Sequence, residues 1–246
     1  MMIQGITVDC WDTLLVQSDH TIDEKRRRLV FDFFVHNGFS DEQTARAIDE
    51  ERKRFRKNFN EEQRTPGLEE RLEILAEILY GEKMPEVVGR LAGEIVTLLK
   101  ESPPLVVPGV PETLHVLASR HRLGLISNIS LTPGHLVKAW LSDRKLLQFF
   151  HTLTFSNDHV VAKPHPAIFR TTLERMGVAP SEAVHVGNDE VLDVQGPHAA
   201  GMKAILFTGV IPGPPQSEAD VQLDEFHMIP EAISRLDQRP ADRFES

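Results

Sequence analysis

The chain has 246 residues, 41% of them apolar and 26% charged, which is typical of a folded protein with enough sequence for a substantial core. Its formal net charge of −10 argues against a nucleic-acid partner, because contact with phosphate backbones requires a positive surface. The single cysteine excludes an intrachain disulfide, and no apolar run approaches the roughly 18 residues of a membrane span. No basic segment precedes the first apolar run, so we expect no secretory signal and predict a cytoplasmic protein without a membrane partner.

The first elements in chain order are a β-prone run over residues 2–9 and a helical block over residues 21–101. The first helix of the block is predicted to end at Asn37-Gly38. The second helix begins with a capping-box pattern, Ser40 followed by Gln43, and a third is predicted to start at Thr65-Pro66. With a fourth apolar stripe near residues 88–98, the block is predicted to form a small four-helix bundle.

After Ser102-Pro103-Pro104 short apolar runs alternate with helical stretches. The predicted strands are 122–127, 151–155, 183–187 and 204–207, and the predicted helices are 111–120, 132–142, 165–176, 194–200 and 229–236. This alternation predicts a doubly wound, parallel, Rossmann-like α/β sheet. Because the first strand precedes the helical block, we predict one core domain, residues 1–15 and 104–246, with a helical domain inserted over residues 16–103. Residues 238–246 are predicted to fray.

Polar segments follow the predicted strands, where ligands of open α/β sheets bind. The segments are Asp9–Thr13, Ser127-Asn128, the loop at Lys163-Pro164, and Gly187–Asp193. Asp9 ends an apolar strand and is suited to nucleophilic attack with formation of a covalent intermediate. Ser127 and Asn128 offer a hydroxyl and backbone N–H groups to an anion. Segments distant in sequence can therefore form one site.

The later segments supply complementary charges. Lys163 would neutralise negative charge on a substrate and on Asp9. Asp189, together with Asn188 or Asp193, offers oxygen ligands to a hard cation such as Mg²⁺. A cation there would shield the Asp9 carboxylate from a phosphate group that it must approach.

These segments, in this order, resemble the haloacid dehalogenase (HAD) superfamily over residues 1–15 and about 104–210. The resemblance implies a hydrolase whose inserted helices form a small cap, acting on a small phosphorylated molecule with Mg²⁺ as cofactor. It implies catalytic roles for Asp9 and Lys163. The predicted substrate-binding residues are Ser127, Asn128 and Thr13, and the predicted metal-binding residues are Asp9, Trp11 through its carbonyl, Asn188 and Asp189.

Two residues depart from the pattern of the family's phosphatases. Trp11 stands where those enzymes carry an aspartate that protonates the leaving group, and the loss of such a group typically costs about 10²–10⁴-fold in rate. Asp12 is adjacent, but a shift of one residue is expected to point its side chain elsewhere. Asn188 stands where an acid is usual, which predicts weaker Mg²⁺ binding unless Asp189 takes over the metal contact.

Three functions remain open on these residues. The leading hypothesis is a Mg²⁺-dependent phosphatase, which without an acid at position 11 would favour good leaving groups such as aryl or acyl phosphates. The second is a metal-independent 2-haloacid dehalogenase, since halide leaves without a proton and Trp11 would line its pocket. The third is a catalytically weak binding or regulatory protein. The basic clusters Lys25–Arg28 and Arg52–Arg54 are interpreted as solvated helix faces, although one arginine can still face a substrate.

Overall fold

The computed structural model of the chain describes residues 2–159 and 161–238. The strands, in chain order, are β1 (Gly5–Val8), β2 (Leu15–Val16), β3 (Leu105–Val106), β4 (Arg122–Ser127), β5 (Phe150–Phe155), β6 (Ala183–Gly187), β7 (Lys203–Phe207) and β8 (Val221–Leu223). Six of them form one sheet in the order β5-β4-β1-β6-β7-β8, and every neighbouring pair is parallel. The predicted Rossmann-like α/β class is confirmed.

Strand β1 lies at the centre of this sheet. Gly5 faces Arg122 of β4 on one side and Ala183 of β6 on the other. The chain winds outward from β1 through β4 and β5, then crosses to β6 and continues through β7 and β8. Ligand sites of open α/β sheets lie at such a reversal, beyond the carboxyl ends of the strands. The fold therefore directs attention to the residue that follows β1.

The helices, in chain order, are α1 (Ile22–His36), α2 (Asp41–Glu62), α3 (Leu68–Tyr80), α4 (Pro85–Glu101), α5 (Val110–Ala118), α6 (Gly134–Asp143), α7 (Pro166–Met176), α8 (Gly196–Ala200) and α9 (Ile229–Gln238). Ser40 and Gln43 form the predicted capping box of α2. Helix α3 begins at Leu68 rather than at Thr65, because the Thr65 hydroxyl is bonded to Ser156 and does not cap the helix. Helix α8 starts later than predicted, because a π-helical turn, Glu190–Gln195, precedes it.

Helices α1 to α4 pack against one another, as the apolar stripes predicted. The chain enters and leaves this helical block through the short antiparallel pair β2–β3, in which Leu15 faces Val106. Buried apolar side chains of the block and of the sheet form one continuous cluster. The division into a core, 1–15 and 104–246, and a separate domain, 16–103, therefore stays a prediction.

No helix within residues 2–159 and 161–238 combines the length and the apolar character needed to cross a membrane. The predicted fraying of the C-terminal tail concerns residues 239–246, which lie outside the described residues, and Gln238, the last residue of α9.

Candidate active site

Three predicted segments meet at the carboxyl edge of the sheet. Asp9 directly follows β1, Ser127 is the last residue of β4, and Asn188 directly follows β6. Because β1 lies between β4 and β6 and the three run parallel, these strand ends are adjacent. Lys163 reaches the same place, since its Nζ lies 2.6 Å from Asp9 Oδ1.

A tight turn after β1 holds the Asp9 carboxylate in position. The backbone N–H of Asp9 donates to the Val186 carbonyl of β6 at 2.9 Å. Asp12 adopts the left-handed backbone conformation with φ 56°, which aspartate tolerates better than most residues. The turn brings the Thr13 hydroxyl to 3.5 Å from Asp9 Oδ2 and 3.4 Å from Asn188 Oδ1, so that it can donate to either oxygen.

Lys163 is a buried ammonium shared by two carboxylates. Its side chain is 1% exposed, and its Nζ lies 2.6 Å from Asp9 Oδ1 and 2.6 Å from Asp193 Oδ1. The Asn128 side chain fixes the lysine's backbone, accepting from the Lys163 N–H and donating to the Lys163 carbonyl, both at 2.9 Å. The side-chain amide of Asn128 thus positions the lysine, and its predicted contact with substrate stays a prediction.

Asp193 is central to this arrangement, although the sequence pointed to it only as an alternative metal ligand. Its Oδ2 accepts the backbone N–H groups of Asn188 at 3.1 Å and Asp189 at 3.0 Å, while Oδ1 bonds the lysine. A Cβ at Gly187 would lie 2.3 Å from Asp193 Cγ, so only glycine fits beside it. The place of this carboxylate depends on the π-helical turn Glu190–Gln195 that carries it, which no sequence spacing specifies.

His185 and Thr7 extend the network into the sheet. His185 is fully buried on β6, with Nε2 3.1 Å from Asp193 Oδ1 and Nδ1 2.8 Å from Thr7 Oγ1. Because an ionised carboxylate only accepts, His185 Nε2–H donates to Asp193 and Nδ1 accepts from the Thr7 hydroxyl. Burial lowers the pKa of His185, which keeps the ring neutral. The sequence pattern gave no signal for Thr7.

Burial and the shared lysine set the protonation of the two carboxylates. Burial raises the pKa of Asp9 to about 6, with Lys163 opposing this rise and Asp193 adding to it. Burial also disfavours ionisation of Asp193, but Lys163 and His185 outweigh it and hold its pKa below the usual range. Burial alone would lower the pKa of Lys163, yet the two carboxylates raise it, so the ammonium stays charged. At neutral pH the site holds one cation and two anions.

Ser127 presents a buried hydroxyl at the end of β4. The residue is fully buried, and its Oγ has no hydrogen-bond partner within residues 2–159 and 161–238. A buried polar atom without a partner costs roughly 1–3 kcal/mol, so such atoms are expected to meet a ligand or an ordered water. The position beside Asp9 fits the predicted anion contact of Ser127.

The two predicted metal ligands that follow β6, Asn188 and Asp189, make different contacts. Asn188 is the residue whose side chain lies near Thr13, whereas the exposed Asp189 caps the following turn by accepting the Val191 and Leu192 N–H groups at 2.9 and 2.8 Å. Within the described ranges, no group of three or more His, Cys, Asp or Glu side chains is arranged to hold a metal ion. The metal role of Asp189 stays a prediction.

Trp11 belongs to the wall of a cleft between the sheet edge and the helices. Its ring meets Trp140 of α6 edge-on, with centroids 6.2 Å apart. The cleft has a volume of about 480 Å³ and is also lined by Asp12, Asn128 and residues of α1 and α3. Asp12 lines the same cleft as Trp11, and the expectation that its side chain points away from the role of position 11 stays a prediction. Burial raises the pKa of the Asp12 carboxyl.

The central strand of this Rossmann-like sheet ends in a buried aspartate that bonds a lysine from a distant loop. This arrangement is typical of one class of hydrolases with a Rossmann-like fold. A family model for haloacid dehalogenase-like hydrolases matches residues 3–201. The chain belongs to this family, as the sequence motifs indicated.

The chain is similar in sequence to proteins named as phosphatases and similar in fold to a dehalogenase. The chain is 35% identical to a glyceraldehyde 3-phosphate phosphatase of Pyrococcus furiosus over 103 residues, 41% of each chain, and so spans less than half of that relative. It is 26% identical to the Methanopyrus kandleri protein of the same name over 83% of each chain. A 2-haloacid dehalogenase structure from Pseudomonas syringae superposes with a TM-score of 0.71 at 21% identity, covering 96% of this chain and 100% of that one. This last likeness shows the fold alone.

Proposed function

We propose that the protein is a phosphatase that acts on a small phosphorylated molecule through an aspartyl-phosphate on Asp9. The observation that carries the proposal is the Asp9 carboxylate at the sheet edge, bonded to Lys163 at 2.6 Å, with the Ser127 hydroxyl at the end of the neighbouring strand β4. A nucleophile, a cation and an anion contact thus lie together. The names of several relatives support phosphate esters as the substrate class.

The proposed reaction has two steps. A carboxylate oxygen of Asp9 attacks phosphorus, an aspartyl-phosphate forms, and the alcohol oxygen leaves with the electron pair of the broken P–O bond. Lys163 and the Ser127 hydroxyl stabilise the negative charge of the phosphoryl oxygens. Water then attacks the phosphorus, releases inorganic phosphate and restores Asp9. The Trp11 indole cannot protonate the departing oxygen, which favours substrates whose leaving group needs no proton.

Mg²⁺ is part of the proposal as cofactor. The donor set fits the ion in kind, because the Asp9 carboxylate, the Asn188 amide oxygen and the Trp11 carbonyl are all hard oxygen ligands. A bound Mg²⁺ would neutralise charge between the carboxylate and the phosphate. With Asn188 in place of an acid, Asp9 is the one charged ligand of this set, so we expect weak Mg²⁺ affinity.

The test is hydrolysis of p-nitrophenyl phosphate with and without Mg²⁺, together with detection of the phosphorylated peptide by mass spectrometry. We expect turnover and a phosphate adduct on Asp9 in the wild-type protein, and neither in Asp9→Asn. Asp12→Asn is the matched control, since it removes the neighbouring carboxylate and should retain the adduct. Equal turnover in Asp9→Asn and wild type would sink the proposal.

A metal-independent 2-haloacid dehalogenase is the second candidate. It is favoured by Trp11, which lines the cleft and packs edge-on against the buried Trp140, since halide leaves without a proton and needs no acid at this place. Asp9 would displace the halide from carbon, and water would then hydrolyse the ester. Chloride release from 2-chloropropionate in the presence of EDTA would support this function, and its absence would leave the phosphatase.

The helical segment 16–103 is proposed to act as the cap of this site, because residues of α1 and α3 line the same cleft as Trp11. Cap opening and closure would then admit the substrate and exclude water during the reaction. A cytoplasmic location, predicted from the sequence, remains part of the proposal.

A further inference from the structure

One largely buried cation in the cleft, Arg26, lacks a full set of hydrogen-bond partners. The Arg26 side chain on α1 is 14% exposed, and its Nη2 lies 2.7 Å from Asp23 Oδ1. Its Nε is buried without a hydrogen-bond partner. Among the side chains that the structure describes, four buried polar atoms lack a partner, and Arg26 Nε is the one that belongs to a charged group. Leaving a charged donor unsatisfied is costlier than leaving a neutral one.

A second arginine lies close to the first. Burial lowers the pKa of Arg26, and the positive charge of Arg71 on α3 lowers it further although Asp23 opposes this. Arg71 is held by a two-fold contact with the buried Glu51 carboxylate, at 2.6 and 2.9 Å, and its Nη1 lies 3.3 Å from Ser130 Oγ. Arg71 is therefore already paired, whereas Arg26 retains donor capacity.

The cleft joins this arginine to the proposed catalytic site. Arg26 and Arg71 line the same space as Trp11, Asp12 and Asn128. Trp11 and Asp12 belong to the turn that follows Asp9, and Asn128 bonds the backbone of the catalytic lysine. One end of the cleft is thus built from the phosphoryl-binding turns and the other from helices of the cap. The volume of about 480 Å³ is that of a small-molecule site.

Acidic residues in the cleft do not cancel this cation. Asp23 is the partner of Arg26, but its side chain is 70% exposed and can turn into solvent at little cost. Asp19 is already paired with Lys25 at 2.7 Å and with the Thr21 hydroxyl at 2.6 Å. The third carboxylate of the cleft, Asp12, belongs to the turn after Asp9, and burial raises the pKa of its carboxyl. The guanidinium of Arg26 is thus a largely desolvated group that can still donate to an incoming anion.

We infer that Arg26 binds a second anionic group of the substrate, a carboxylate or a second phosphate, while Asp9 attacks the phosphoryl group. The inference rests on the proposed phosphatase function and narrows its substrates to small molecules that carry two anionic groups. A planar guanidinium that can offer parallel N–H donors suits both kinds of anion. Arg71, held by Glu51, adds positive potential behind it.

Calorimetric titration with phosphonates tests the inference without turnover. The probes are benzylphosphonate, 4-(phosphonomethyl)benzoate, its methyl ester and 1,4-bis(phosphonomethyl)benzene. We expect the wild-type protein to bind the benzoate or the bisphosphonate at least about tenfold more tightly than the ester, a typical contribution of one desolvated charge pair. Whichever of the two probes with two anionic groups, the benzoate or the bisphosphonate, binds more tightly identifies the second group as a carboxylate or a phosphate.

Variants of α1 assign the preference to one residue. Arg26→Gln should lose the preference and still bind benzylphosphonate, and Arg26→Lys should keep part of it. Arg28→Gln is the matched control, since Arg28 lies on the same helix with its side chain 74% exposed, and should bind like wild type. A wild-type protein without the preference, or an Arg26→Gln protein that retains it, would overturn the inference. The proposed phosphatase function fails separately, if these ligands bind but p-nitrophenyl phosphate is not hydrolysed.

Discussion

Replacing Trp11 by aspartate should convert the site from one limited to good leaving groups into one that accepts poor ones. The backbone at position 11 follows the nucleophile by two residues, and its side chain lines the cleft. A carboxyl group there can protonate a departing alkoxide and later accept a proton from water. A positioned acid–base group typically contributes about 10²–10⁴-fold. This corresponds to about 3–5 kcal/mol of activation free energy.

The structure also indicates how much folding free energy the Trp11→Asp substitution should cost. Trp11 meets Trp140 edge-on at 6.2 Å, a contact worth about 0.5–1.5 kcal/mol beyond area burial. Trp11 is only partly buried, so loss of its remaining packing should bring the total to about 2–3 kcal/mol. Most proteins have about 5–15 kcal/mol of folding free energy, so the variant should remain folded. Its thermal midpoint should fall by several degrees.

The assay is the dependence of kcat on leaving-group pKa over a series of aryl and alkyl phosphates. Wild type and the control Trp11→Phe, which keeps a ring without a proton to give, should show a steep decline as the leaving group becomes more basic. Trp11→Asp should show a shallow one, with the largest gain on alkyl phosphates. Equal slopes for a folded Trp11→Asp and Trp11→Phe would refute the assignment of position 11 to the leaving-group side.

Three further variants test separate parts of the structure. Asn188→Asp should tighten Mg²⁺ binding by about tenfold or more, seen in a calorimetric titration, because it adds a charged oxygen ligand; unchanged affinity would place position 188 away from the metal. Ser127→Ala should leave the free energy of unfolding unchanged or raised, since the Ser127 hydroxyl has no hydrogen-bond partner among the described residues, and should increase KM for phosphate esters. A loss of stability with unchanged KM would contradict this. The hydrogen bond to Asp220 raises the pKa of His198 above 6.5, so its stabilisation is full below that pH and is lost as pH rises through the raised pKa. The difference in unfolding free energy between wild type and His198→Gln should therefore shrink from pH 6 to 9, and a constant difference would refute the linkage.

Much of the fold could be predicted because its signals are local. The runs that form β4 and β6 are mostly apolar and buried, and the observed bounds, Arg122–Ser127 and Ala183–Gly187, are the predicted ones. A buried parallel strand needs no partner information to be recognised, since both of its faces are apolar. Strand β8 escaped prediction because it is three residues long and lies at the sheet edge, where burial imposes little pattern.

The site could be predicted in part only, because its contacts join distant segments. Asp9 and Lys163 carry a motif, and the structure brings them within 2.6 Å. The position of Asp193 depends on the π-helical turn that carries it. The hydrogen bond between His185 and Asp193 therefore depends on the same turn. No sequence spacing specifies this geometry. The inward direction of Arg26, among four consecutive basic residues, likewise depends on how α1 packs against α2 and α4.

Trp11 and Asn188, the two residues that depart from the pattern of the family's phosphatases, both reduce the negative charge around the reacting phosphate. Lys163 neutralises one of the two carboxylates that it bonds, so the site retains one negative charge before substrate arrives. An aspartate at either position would add another and would repel an anionic substrate unless a metal compensated for it. Because neither aspartate is present, the negative charge of the site repels the phosphoryl group less. The site in turn lacks a proton donor for the leaving group and is expected to bind a metal ion more weakly. This exchange would favour the proposed substrates, which carry two anionic groups and an easily displaced leaving group, and Arg26 is the residue proposed to bind the second group.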